Sequence, residues 1–118
     1  MKAKIIEILP DFSEKITNAF RNLKRTELSD QFTTLELDYW TYDAEVQAIY
    51  IYLCGHRPLN IAEKNIIRII HDECIEFSEL DGIVVADIDN LGRISGIEVI
   101  NRPDITEQLS QVQSPIRY

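Results

Sequence analysis

A chain of 118 residues with 45% hydrophobic and 27% charged residues fits one compact domain and excludes a fibrous repeat or a disordered polyelectrolyte. Twelve Lys and Arg against twenty Asp and Glu give a formal charge of −8, which disfavours nucleic acid as the default partner. No apolar run nears the roughly 18 residues of a membrane span, no signal-peptide core follows Met1–Lys4, and Cys54 and Cys74 are too few for a disulfide scaffold, so a soluble cytoplasmic protein with reduced thiols is expected.

Residues 1–9 fit either a short strand or a lead-in helix. Pro10–Glu14 then reads as a helix start, with Asp11 as cap and Glu14 three residues on. Phe12, Ile16, Ala19, Phe20 and Leu23 recur at helical spacing, which predicts a helix from Asp11 to Glu27 with that stripe in the core. Lys15, Asn18, Arg21, Asn22 and Arg25 fill its polar face, and Lys24 and Arg25 complement the helix dipole. The period then changes to two. Over Thr33–Trp40, Leu35, Leu37 and Tyr39 fall on one face and Glu36, Asp38 and Trp40 on the other. Asp43–Glu45 reads as a turn into a second strand, Ala48–Leu53, and the two strands predict a hairpin that Cys54–Pro58 ends.

The stretch 59–71 predicts a helical turn near Ala62–Lys64 followed by a strand over Ile66–Ile70. Cys74–Phe77 is another short strand. Gly82–Ile88 and Ile94–Ile100 flank Asp89-Asn90-Leu91-Gly92, a hairpin signal because Asn and Gly tolerate positive φ. Pro103-Asp104 opens a short helix with Asp104 and Glu107 spaced as a cap and Ile105, Leu109 and Val112 as its stripe, and a frayed tail follows from Gln113. The expected fold is α+β in a single domain, 1–118. Its parts are an N-terminal helical segment (1–30), a small antiparallel sheet (33–101) packed by the amphipathic helix, and a short C-terminal helix and tail (103–118).

Two segments carry a resemblance. Tyr42-Asp43-Ala44-Glu45 leading into Ile49-Tyr50-Ile51-Tyr52-Leu53 is similar to a "YDxE…YIxL" opening. Asp81–Asp89 followed by Gly92–Ile100 is similar to a "DGIxxDxDxxGxIxGIEI" hairpin. Together they resemble a family of small prokaryotic proteins known as a domain of unknown function, over about residues 35–102. The resemblance implies a small antiparallel sheet that pairs with itself and an association with toxin–antitoxin-like gene pairs. It lends no catalytic residues.

Chemistry-bearing residues are sparse. The only Cys and His residues, Cys54, His56, His71 and Cys74, form the one quartet that offers a zinc-type ligand set, yet C-x-H spacing is strand-like and the expectation is no metal and no cofactor. Asp87, Asp89, Gly92 and Glu98 nearly match a calcium loop, but Leu91 stands at a ligand position and strands flank it. Ser78, Cys54, His56 and His71 contain the types for nucleophilic catalysis without any local signature. Asp38, Asp43, Glu45 and Asp87 are carboxylates that strand pairing could gather for acid–base work.

Charge and aromatic residues are the stronger signals. Residues 1–25 carry a net +3, whereas Asp72–Asp89 holds seven acids and no Lys or Arg. Tyr39, Trp40, Tyr42, Tyr50 and Tyr52 cluster on the first hairpin. The expected function is therefore a non-enzymatic interaction or regulatory module, a homodimer or larger assembly, with a basic protein as a further partner and no membrane. Trp40, Tyr50, Tyr52, Glu73, Glu76 and Glu79 are the candidate interface residues. Burying a tyrosine face against a second copy, at about 25 cal/mol per Å², would matter for so small a domain. The alternatives are a small ligand-binding or hydrolytic enzyme built on Asp38, Asp43 and Asp87, and a DNA-contacting regulator using Lys15, Arg21, Lys24 and Arg25.

Overall fold

A computed structural model describes residues 2–66 and 68–117. The chain opens with one helical turn, α1 (Ile5–Ile8), and bends at Leu9 into α2 (Pro10–Asn22). Pro10 occupies the first turn, where its missing N–H costs nothing, so the helix starts one residue before Asp11. Leu9 is the cap residue and no side chain caps it; Asp11 lies inside the first turn, which corrects the expected capping box.

The predicted helix to Glu27 is two helices. Lys24 takes φ 62, Arg25 N–H donates to Phe20 O and Lys24 N–H donates to Arg21 O, a Schellman end built without glycine. Leu23 consequently falls at the cap and is 49% exposed, while Phe12, Ile16, Ala19 and Phe20 are buried as expected. A third helix, α3 (Thr26–Phe32), buries Leu28 and Phe32.

Five antiparallel strands follow: β1 (Glu36–Asp43), β2 (Ala48–Cys54), β3 (His71–Glu76), β4 (Ile83–Asp89) and β5 (Ile94–Ile100), with one helical turn, α4 (Ile61–Lys64), between β2 and β3. After α5 (Pro103–Ser110), a two-residue strand β6 (Ile116–Arg117) runs parallel to β1, so the order is β3-β4-β5-β2-β1-β6. The fold is α+β, as the sequence predicts.

Helices α1, α2, α3 and α5 pack on one face of the sheet. Cross-strand rows such as Trp40–Ile51–Ile97–Ala86–Ile75 meet Leu9, Phe12, Phe20, Phe32, Ile105 and Leu109 there. Phe20 and Phe77 make an edge-on pair at 5.1 Å. The strand expected over Ile66–Ile70 is absent from Ile66 and from 68–70; Ile67 lies outside the described residues. A strand needs a partner, and β4 ends at Asp89. The Asn90 side chain holds the segment instead, donating to Arg68 O and accepting from Ile70 N–H. In α5, Pro103 again starts the helix, Asp104 binds Arg102 instead of capping, and Val112 is 53% exposed beyond the last turn. The tail is not frayed at Gln113: its carbonyl accepts from Trp40 Nε1 and its amide donates to Asp38 O.

Candidate functional site

A β-bulge decides which aromatic residues reach the surface. Leu37 pairs with Leu53 and Tyr39 with Tyr52, so Asp38 is an extra residue and the alternation of β1 inverts after it. Leu37 and Trp40 both point into the core. Trp40 is 0% exposed, which removes it from the expected interface set and corrects its assignment to the face opposite Leu37. Tyr39 moves to the face that carries Tyr50 and Tyr52.

That face bears no helix among the described residues. Two of its cross-strand rows are Tyr39–Tyr52–Gly96–Asp87–Cys74 and Thr41–Tyr50–Glu98–Val85–Glu76, and Ala48, Ile100 and Ile83 form a third beside Asp43. Tyr39 and Tyr52 stack at 4.3 Å, and the Tyr50 ring tilts against Tyr52 at 4.5 Å. Tyr50 lies across the strand over Gly96. A Cβ on residue 96 would stand 2.3 Å from Tyr50 Cε1, so only glycine permits this approach. The tyrosine hydroxyl thereby donates to Asp87 Oδ2 at 2.5 Å, and Cys74 Sγ donates to Asp87 Oδ1 at 3.1 Å. Glu98, half-buried between Tyr50 and Val85, has no hydrogen-bond or salt-bridge partner among the described residues.

Burial, and then the Asp87 hydrogen bond, push the Tyr50 phenol above the tyrosine range, and the same carboxylate pushes the Cys74 thiol up. Both are held neutral, the opposite of what a nucleophile or base needs. A raised folded-state pKa leaves stability intact below the unfolded value near 10 and erodes it as pH rises above that value. The urea midpoint should therefore fall between about pH 9.5 and 11, and less steeply in Tyr50→Phe. Parallel slopes for the two proteins would contradict this reading of Tyr50.

The other candidates are dispersed. Cys54 ends β2, three strands from Cys74. The Nε2 of His56 donates to Ile94 O at 2.7 Å, and His71 begins β3 opposite Asp89. Among the described residues no group of three or more His, Cys, Asp or Glu is placed to hold a metal. The calcium-like set is split: Asp87 faces Tyr50, whereas the buried Asp89 accepts from Leu91 N–H, Arg93 N–H and Arg93 Nε. The carboxylates proposed for hydrolysis are also apart, since Asp38 binds Lys2, Asp43 closes its own turn on Glu45 N–H, and Asp87 lies three strands from β1. Glu73 points to the helix side and pairs with Arg25 at 2.9 Å, Glu76 stands on the open face, and Glu79 lies beside Lys15 and Asn18, so the three glutamates share no surface. Arg25 is further held by Glu27, which takes it out of a DNA-contacting set with Lys15, Arg21 and Lys24.

A cavity of about 540 Å³ between α3 and the β4–β5 turn includes Gln31, His56, Arg57 and Arg93 in its wall. Most of its polar side chains are committed to the fold: Gln31 binds Gly92 O and Ile94 N–H, His56 binds Ile94 O, Arg57 binds Glu63, and Arg93 binds Asp89. The open sheet face is thus the better-defined surface. Comparison with protein-family models, curated proteins and solved structures finds no match to this chain.

Proposed function

We propose that this chain is a non-enzymatic protein-interaction or regulatory module, cytoplasmic and soluble, that works through its open sheet face. The observation that carries the reading is a sheet with one face under four helices and the other without one among the described residues, bearing three packed tyrosines beside Val85, Ile83 and Ile100. Rigid aromatic side chains held by their neighbours supply contact area at low entropic cost. The two motif segments that resemble the small prokaryotic family form β2, β4 and β5 and furnish Tyr50, Asp87, Gly96 and Glu98. This supports a shared surface and an antitoxin-like role in binding a partner. No helix of the described residues is long and apolar enough to cross a membrane.

A second copy and a basic protein are the two occupants to be separated. The test compares the tagged chain with Tyr52→Glu, first by light scattering and then by co-purification from its own cells. The reading expects Tyr52→Glu, folded by circular dichroism, to lose a dimer mass or to change the amount of a stoichiometric bound chain. Identical mass and identical bound proteins for both would overturn it.

A further inference from the structure

We propose that the occupant of the open face is a cationic polypeptide segment, with arginine side chains lying over the tyrosine cluster and pairing with Glu98. The inference rests on the interaction-module reading and names its partner chemistry. Three observations converge on it. The five antiparallel strands contain no lysine or arginine, while the open face carries Glu76, Asp87, Glu98 and Asp43 among its apolar residues. Beside β1, the Lys2 ammonium is already held by Asp38. Glu98 is half-buried at the centre of the face without a hydrogen-bond or salt-bridge partner among the described residues, next to the Tyr50 ring.

These charges select among occupants. A second copy stacked face to face would bring Glu98, Glu76 and Asp87 towards the same acids, with no Lys or Arg from the five antiparallel strands between them, and like charges removed from water repel. A nucleic acid would bring phosphates to the same acids. A guanidinium fits both features, because it is planar, weakly hydrated, stacks on aromatic rings and pairs with a carboxylate through two N–H groups. Lysine meets the charge and lacks the stacking plane.

The test uses the full chain and a fluorescent nona-arginine peptide, read by anisotropy at about 0.05 M salt, where screening is weak. Glu98→Lys and Glu107→Lys change the net charge equally, but Glu107 is exposed on α5, on the helix side. The proposal expects Glu98→Lys to weaken binding about tenfold or more, a loss of about 1.4 kcal/mol, and Glu107→Lys by less than about twofold. Glu98→Gln, which removes the charge without adding one, should weaken binding in the same direction. Tyr39→Ala should weaken it at unchanged charge, and nona-lysine should bind less tightly than nona-arginine. Equal effects of Glu98→Lys and Glu107→Lys would reduce the attraction to net charge and overturn the proposal, as would equal affinity for the two peptides. A dimer that hides the face and breaks with Tyr52→Glu would overturn the cationic partner and leave the interaction module standing. Unchanged behaviour of Tyr52→Glu in every assay would remove both.

Discussion

Phe20→Ala is expected to cost on the order of 3–5 kcal/mol, a third or more of the stability of a domain this size. Phe20 is 0% exposed, lies on the buried stripe of α2 with Phe12 and Ile16, and meets Phe77 edge-on where the chain leaves β3. Truncation leaves a void that a close-packed interior does not refill, so lost dispersion adds to lost burial. The urea midpoint should fall sharply at nearly constant slope. Leu23→Ala, one turn on but exposed past the Schellman end, should shift it by no more than about 0.5 kcal/mol. Comparable losses for the two variants would show that the helix does not stop where Lys24 turns.

Asp89→Ala is expected to cost about 3–5 kcal/mol as well, for a different reason. The Asp89 side chain is 3% exposed, and it gathers the N–H groups of Leu91 and Arg93 and the Arg93 guanidinium, each at 2.9 Å. Removing it strands two turn donors and a largely buried cation at once. Asp89→Asn keeps an acceptor for the backbone donors and loses only the charge, so its cost should be distinctly smaller. The destabilisation should be the same with and without added calcium. A calcium-dependent difference would restore the ion-binding reading of this turn.

The parts of the fold that were legible share a cause. β2 and β4 read cleanly because Ile49, Ile51 and Leu53, and Val84, Ala86 and Ile88, alternate along each strand, and Gly92 supplies the positive-φ turn that follows β4. Errors arose where one residue changes the phase. The extra Asp38 sends Trp40 inward and Tyr39 outward, and no residue type marks a bulge of this kind. Lys24 adopts a conformation that glycine usually signals, so the division between α2 and α3 left no trace. Ile66, Ile69 and Ile70 follow β propensity, yet β4 ends at Asp89 and they form no strand, Ile70 bonding to Asn90 instead. At the site, Tyr50 and Tyr52 were legible as interface candidates on one face of β2, where the structure has both half-buried. The roles of Asp87, Gly96 and Glu98 were not, because they depend on a register that brings three strands into line. Gly96 inside a strand was the one available hint, since such a glycine often marks close approach by another group.

The central claim is that the tyrosine face of the sheet, and not the helix face, receives a cationic chain. Its most direct test is to follow backbone amide resonances of the full chain as nona-arginine is added. The account predicts that the largest shifts fall at Tyr39, Tyr50, Tyr52, Val85 and Glu98, which four different strands bring to one surface. Shifts centred instead on the exposed helix-side acids Asp11, Glu14 and Glu107, or spread without preference over both faces, would contradict it.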